Sequence, residues 1–172
     1  MHWPGQHPLE DTIASFEELV QAGKIRSWGL SNFDVAELEA ARALAGPRRI
    51  ACNQVLYHLK ARDMEDEVLP WCVRHEVALV GYSPFGSGRF PAPNGTGGKV
   101  LAKVAQAHQA TPHQVALAFL LRDKHVLSIP KAADVDHVRS NAAAGALVLR
   151  AEELAQVALA FPVQTGRGLP TL

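Results

Sequence analysis

The sequence has 172 residues, 48 % of them hydrophobic, with 17 Lys plus Arg balanced by 17 Asp plus Glu. That length suits one domain with a real core, and the apolar content excludes a disordered chain. The charge balance leaves no global field to draw in nucleic acid or a membrane surface, and no apolar run approaches the ~18 residues of a membrane span. No charged-then-apolar leader is read, and Cys52 and Cys72 form no C-x-x-C pair. A cytoplasmic protein without a disulfide framework is the expectation.

Taken in order, "LEDTIASFEELVQAGK" sets Leu9, Ile13, Phe16 and Val20 on one helical face with acids opposite. "RSWGLS" is a short apolar run that reads as a strand. "DVAELEAARALAG" offers Asp34 as N-cap, Glu37 as its capping-box partner and Gly46 as the stop. "IACNQVL" is the next strand, and a helix is expected from Asp66 to His75 with Val68 and Cys72 inward. "VALVGYS" is apolar on both faces, as a strand covered on both sides should be.

"PFGSGRFPAPNGTGG" is a Gly/Pro-rich loop of about fifteen residues, a length usually reserved for function or mobility. "KVLAKVAQAHQ" is helical. "TPHQVALAFLLR" carries Thr111 as N-cap, Pro112 at the first helical position and Gln114 closing the box. "HVLSIP" is a strand, and "DVDHVRSNAAAGAL" and "AEELAQVALAF" are helices. Counting Met1 to Trp3 as the end of a strand gives about five strands, alternating with helices across short turns. That pattern argues for parallel strands with crossover helices. An open doubly wound sheet suits the length better than a closed barrel of eight strands and about 250 residues. Its fingerprint is absent, because Pro91 stands where the third glycine after Gly86 and Gly88 belongs. "GTGGKV" fails as a phosphate loop, with Pro93 for the first glycine and Val100 for Ser/Thr.

Polar residues recur where strands give way to loops: His2, then Ser31 and Asn32, Asn53 and Gln54, Tyr82 and Ser83, and Lys131. In βα folds that edge carries the site. Singly, each is more simply a turn former, a helix cap or a core residue. Together they deliver hydrogen-bonding groups to one rim. The eight histidines are scattered, with no H-x-x-x-H pair beside an acid, so no metal site is expected. The "NGT" sequon at Asn94 reads as loop composition.

"GKIRSWGLSNF", "NQVLYH", "GYSPFGSG" and "IPKAADVDHVRSNAA" resemble, in order and spacing, the aldo-keto reductase family, and "HWP" resembles the end of that family's fourth barrel strand. The resemblance covers essentially the whole chain. It implies a partial (β/α)8 TIM barrel over residues 1–172, one incomplete domain with outer helices, and reduction of small aldehydes and ketones with NADPH. Residue by residue, Ser31, Asn32 and Gln54 match the groups that hold the nicotinamide carboxamide, which shows both a donor and an acceptor face. Tyr82 matches the aromatic stacked on the nicotinamide. Ser83, Phe85 and Ser87 match the pyrophosphate segment, with Arg89 the nearby cation. Lys131 matches the lysine facing the adenosine 2′-phosphate, and Asn141 the residue at the adenine. Two positions depart from the pattern: Ala132 replaces the Ser or Thr after that lysine, and His137 replaces a common arginine, with Arg139 one helical step away.

His2 matches the histidine that orients the substrate carbonyl. The family's Asp, Tyr and Lys of proton transfer have no counterpart in this sequence. Of its two tyrosines, Tyr82 is taken by stacking, and Tyr57 is expected in a loop just past a strand. Three expectations follow from the resemblance. One is a reductase completed by an upstream polypeptide or a second copy. Another is a catalytically dead NADP-binding module. The third is a truncated or mis-started fragment without function. The Gly/Pro-rich C-terminal tail from Phe161 is expected over the barrel rim.

Overall fold

The computed structural model describes residues 1–3, 5–164 and 169–171. Four parallel strands, β1 (Trp28–Ser31), β2 (Ile50–Leu56), β3 (Ala78–Tyr82) and β4 (Val126–Ile129), form one sheet in the order β1-β2-β3-β4. The helices are α1 (Leu9–Gln21), α2 (Val35–Ala45), α3 (Val68–Arg74), α4 (Thr96–Ala107), α5 (Pro112–Leu120), α6 (Val135–Ala143) and α7 (Ala151–Ala160).

Strand order separates the two architectures left open by composition. A doubly wound sheet reverses its winding at a switch point. Here every crossover steps one strand in the same direction, as in a barrel. Coverage of the sheet agrees. Leu30, Asn53, Leu79 and Val126 sit in one cross-strand row on the helix-covered face and are all buried. The opposite face carries Gln54, Val80 and Tyr82, and ends on Leu127 and Ile129 at 56 % and 47 % exposure. Helices cover one face only, so the fold is α/β, part of a (β/α)8 barrel. Met1 to Trp3 is not a strand; the Met1 amine donates to the Gly29 carbonyl at 2.7 Å. Pro4, residues 165–168 of the tail and Leu172 lie outside the described residues.

Local signals place most elements. Asp34 and Glu37 form the expected capping box at α2, as do Thr111 and Gln114 at α5. α4 begins three residues earlier than the sequence pattern suggests, inside the glycine run. A Cβ at Gly98 would lie 2.0 Å from the Ala92 carbonyl, and one at Gly97 would lie 2.3 Å from the Phe161 ring. Those glycines are helical because the loop and the segment after α7 pack where side chains would be.

A buried ion network fastens the helix layer. Arg62 donates to Glu65 through Nε at 2.9 Å and Nη2 at 2.6 Å, and Arg122 Nη2 reaches Glu65 Oε2 at 2.7 Å. The two guanidiniums lie over the Phe119 ring, 4.9 and 4.2 Å from its centre. Arg62 also donates to the Phe161 carbonyl at the end of α7. Tyr57 lies just past β2, outside the strand as expected, yet it is core at 1 % exposure and donates to Glu65 Oε1 at 2.6 Å. Burial pushes the Glu65 carboxyl up, but hydrogen bonds from Arg62, Arg122 and Tyr57 outweigh it and hold it at about 2.

That depression makes Glu65 stabilising above the ordinary carboxylate range, with the contribution lost as pH falls from about 4.5 towards 2. Glu65→Gln leaves two guanidiniums without their anion and is expected to cost about 3 kcal/mol in urea unfolding at pH 7. The gap between variant and parent should close below pH 4. A gap that stays constant from pH 7 to pH 3 would show that the carboxylate charge is not what binds the network.

Candidate functional site

Because all four strands run in parallel, their carboxyl ends share one edge, and the polar residues read from the sequence collect there. β1 ends at Ser31, whose hydroxyl donates to the Gln54 carbonyl at 2.8 Å. The Asn32 N–H donates to the same carbonyl at 2.8 Å. Asn32 sits at φ +60°, a left-handed conformation that Asn tolerates better than most side chains. Its Nδ2 donates to the Ser31 hydroxyl at 3.2 Å, and its Oδ1 accepts from the Tyr82 hydroxyl at 3.2 Å. A directed chain results, Tyr82 to Asn32 to Ser31 to the Gln54 carbonyl, each bond polarising the next. Strand register pairs Ser31 with Gln54 and Leu56 with Tyr82, so Ser31, Gln54 and Tyr82 share the sheet face that the helices leave uncovered.

Asn53 and Gln54 are neighbours in sequence with opposite tasks. Asn53 points to the helix side and is 0 % exposed. Its Nδ2 donates to the Phe33 carbonyl at 2.8 Å and its Oδ1 accepts from the Phe33 N–H at 3.4 Å. One amide thus satisfies both backbone groups of the residue after Asn32 and fixes the β1–α2 loop.

After β3 the chain coils through left-handed residues at Ser83, Gly86, Ser87 and Gly88. The Gly86 N–H donates to the Ser83 carbonyl at 2.8 Å, and the Ser87 hydroxyl donates to the Ser83 hydroxyl at 3.1 Å. Phe85 leaves this turn in another direction. It joins Lys131 and Asn141 around a cleft of about 380 Å³, together with His113, His137 and Ser140. Next to His113, Gln114 both closes the α5 capping box and donates through Nε2 to the Ser140 carbonyl of α6 at 3.1 Å, tying the two helices together. His113 stacks on Phe90 at 3.8 Å and meets Phe85 edge-on at 4.9 Å. Partial burial, and then the charge of His137, lower its pKa.

The predicted residues therefore resolve into two clusters joined by one turn. Ser31, Asn32, Gln54 and Tyr82 form a neutral rim. Phe85, Lys131 and Asn141 share a cationic cleft, and Ser83 and Ser87 lie in the turn between them. His2 stands apart, exposed, its ring edge-on to Trp3 at 5.4 Å. The sequence reading missed His113 and Ser140, since their role depends on how α5 and α6 meet. It placed Asn53 on the rim without seeing its structural task, although strict alternation along β2 separates it from Gln54. Among the described residues, no cluster of His, Cys, Asp and Glu is arranged to hold a metal ion. No helix among them is long and apolar enough to cross a membrane.

A model of the Aldo/keto reductase family matches residues 1–160, and the chain belongs to that family. It is 40 % identical over 169 residues to methylglyoxal reductase YeaE of Escherichia coli, covering 97 % of this chain and 59 % of that protein. It is 32 % identical over 142 residues to a glyoxal reductase of Bacillus subtilis, covering 83 % of this chain and 48 % of the relative. An aldo-keto reductase of Klebsiella pneumoniae, crystallised with NADPH, superposes with a TM-score of 0.91 at 38 % identity, over 100 % of this chain and 61 % of its own. The chain thus spans between about half and three fifths of the length of these relatives.

Replacing Asn53 by Ala should leave the Phe33 N–H and carbonyl unpaired in the core and cost about 2 kcal/mol or more. Hydrogen exchange should show the Phe33 amide losing protection before the β2 amides do. Unchanged protection at Phe33 would mean that the loop is held by something other than this amide.

Proposed function

We propose that this chain forms the cofactor-binding part of an NADPH-dependent reductase acting on small aldehydes and ketones. The observation that carries the reading is the directed chain from Tyr82 through Asn32 and Ser31 to Gln54. It orients an aromatic face beside hydroxyl and amide groups, the set a nicotinamide carboxamide needs. Further along the same edge, the Phe85–Lys131–Asn141 cleft suits the phosphorylated adenosine end, with Lys131 as point charge for a 2′-phosphate. Ser83 and Ser87 lie between, as the pyrophosphate requires. When bound, NADPH supplies the hydride. The printed activities of the relatives, on methylglyoxal and glyoxal, make a 2-oxoaldehyde the first substrate to try. The free thiols Cys52 and Cys72 fit a reducing cytoplasm.

Carbonyl reduction also needs an acid at the developing alkoxide. Neither tyrosine suits that task. Burial first, then the Glu65 carboxylate, pushes the Tyr57 hydroxyl well above its usual range, and its proton is committed to Glu65. The Tyr82 hydroxyl donates to Asn32, where it positions the ring. In this reading His2 orients the substrate carbonyl. The proton comes from an Asp, Tyr and Lys set on a complementing polypeptide segment, so the chain alone binds cofactor without efficient turnover.

Isothermal titration should show NADPH binding to the purified chain, weakened about five-fold by Tyr82→Ala through loss of ring stacking. NADPH consumption with methylglyoxal should be at least ~100-fold slower than for the E. coli methylglyoxal reductase, as expected without a positioned acid. Supplying the amino-terminal part of that relative in trans should raise the rate. Absence of NADPH binding would sink the cofactor assignment; unaided turnover at the relative's rate would sink the claim about the acid.

A further inference from the structure

Three of the side chains around the adenosine-end cleft, His113, Lys131 and His137, are cationic or become so on protonation. We infer that His113 and His137 form a protonation-dependent clamp for a phosphate dianion beside Lys131. The chain's preference for 2′-phosphorylated over unphosphorylated adenosine then rises as pH falls from 8 to 6. The inference rests on the reading that this cleft takes the adenosine end of NADPH.

The two imidazoles reach the cleft from different helices, α5 and α6. His113 is sandwiched by ring contacts to Phe90 and Phe85 on the loop side. His137 lies in the first turn of α6, placed there by the helix cap, in which its backbone N–H donates to Asp134 Oδ1 at 3.1 Å. The Gln114–Ser140 bond keeps the two helices in register. Anionic groups on the same elements are engaged elsewhere: Asp134 caps α6, and Asp136 pairs with Arg139 at 3.3 Å. Lys131 enters from the β4–α6 segment, α5 contributes His113, and Arg89 of the long loop lies outside the lining. No carboxylate lines the cleft among the described residues. An entering phosphate therefore meets no carboxylate in the cleft wall.

Burial, and then repulsion from the charge of His137, lower the pKa of His113. A phosphate between them and Lys131 relieves that repulsion, and linkage makes the effect reciprocal: protons favour phosphate, and phosphate favours protons. Histidine is the side chain that changes charge between pH 5 and 8, which sets the window. The 2′-phosphate opposes the trend below about pH 6, where it gains its own proton. The preference is thus expected to peak near pH 6 rather than to climb without limit.

The test uses adenosine 2′,5′-bisphosphate and 5′-AMP as probes, titrated calorimetrically into the purified chain at pH 8 and pH 6. Their affinity ratio isolates the 2′-phosphate. It should rise about five-fold on going to pH 6, roughly one charge-assisted contact less the phosphate's own protonation. His137→Gln should flatten the profile at low preference, and His137→Arg should restore a high preference with little rise from pH 8 to 6. In NMR titrations, the imidazole Cε1 protons of His113 and His137 should move their midpoints to higher pH when the bisphosphate is bound. A ratio equal at both pH values, or midpoints unmoved by the probe, overturns the clamp while leaving the cofactor reading intact. Failure of both probes to bind at either pH overturns the clamp and the cofactor reading together.

Discussion

The two adjacent amides of β2 hold the site together. Period-two alternation sends Asn53 to the helix side and Gln54 to the open side of one strand end. The Asn53 side chain ties down Phe33 from beneath, while the Gln54 main-chain carbonyl, within the sheet, takes both the Ser31 hydroxyl and the Asn32 N–H. The β1–α2 loop is pinned by a side chain on the helix side and by the neighbouring strand's main chain, and the left-handed Asn32 is over-determined by its bonds. That matters for Tyr82, whose hydroxyl leans on Asn32. An aromatic ring meant to present one face to a flat ligand needs such support, because a rim built only on loops would drift.

Beneath this rim the Arg62–Glu65–Arg122 network solves a separate problem. Segments far apart in sequence meet there: the short 3₁₀ turn before α3, the residues just after α5 and the end of α7. Charges are an expensive way to join them unless every polar atom is satisfied. Here Glu65 receives both guanidiniums and a phenol, and the guanidinium faces rest on Phe119. The arrangement also settles the fate of Tyr57. Gly81 makes room for it, since a Cβ at that position would lie 3.0 Å from the Tyr57 side chain. A tyrosine packed this closely, with its proton facing a carboxylate, is a structural group.

Much of this was legible in the sequence. The capping boxes at Asp34 and Thr111 are local chemistry, and they mark their helices where the structure has them. β2 coincides with its predicted run, Ile50 to Leu56, which follows the break at Gly46 and Pro47. The polar residues at strand ends were visible for the same reason, since parallel strands put consecutive carboxyl ends on one edge. What was not legible depends on contacts between distant segments. The early start of α4 rests on Ala92 and Phe161 filling the space beside two glycines. The burial of Tyr57 rests on Arg122, and the role of His113 on the meeting of α5 with α6. Met1 to Trp3 had the composition of a strand end, but one bond to Gly29 does not make a strand.

The division of the edge into a neutral rim and a cationic cleft has a physical logic of its own. A carboxamide is recognised by matched donors and acceptors, and a formal charge beside it would compete with those bonds and hold water in place. Ser31, Asn32, Gln54 and Tyr82 are all neutral, and their near neighbours on the same face, Val80, Leu127 and Ile129, are apolar. A phosphate is recognised chiefly by charge, and charge acts at longer range with less demand on geometry. Lys131 and the histidines are accordingly exposed, at and just before the amino-terminal turns of α5 and α6. Geometric precision is concentrated where the strands and the Asn53 clamp enforce it, and electrostatic selection where solvent and pH can modulate it. Exchanging the two placements would weaken both: buried cations at the rim would carry a desolvation cost, and neutral amides at the exposed cleft would face water as an equal competitor for the phosphate.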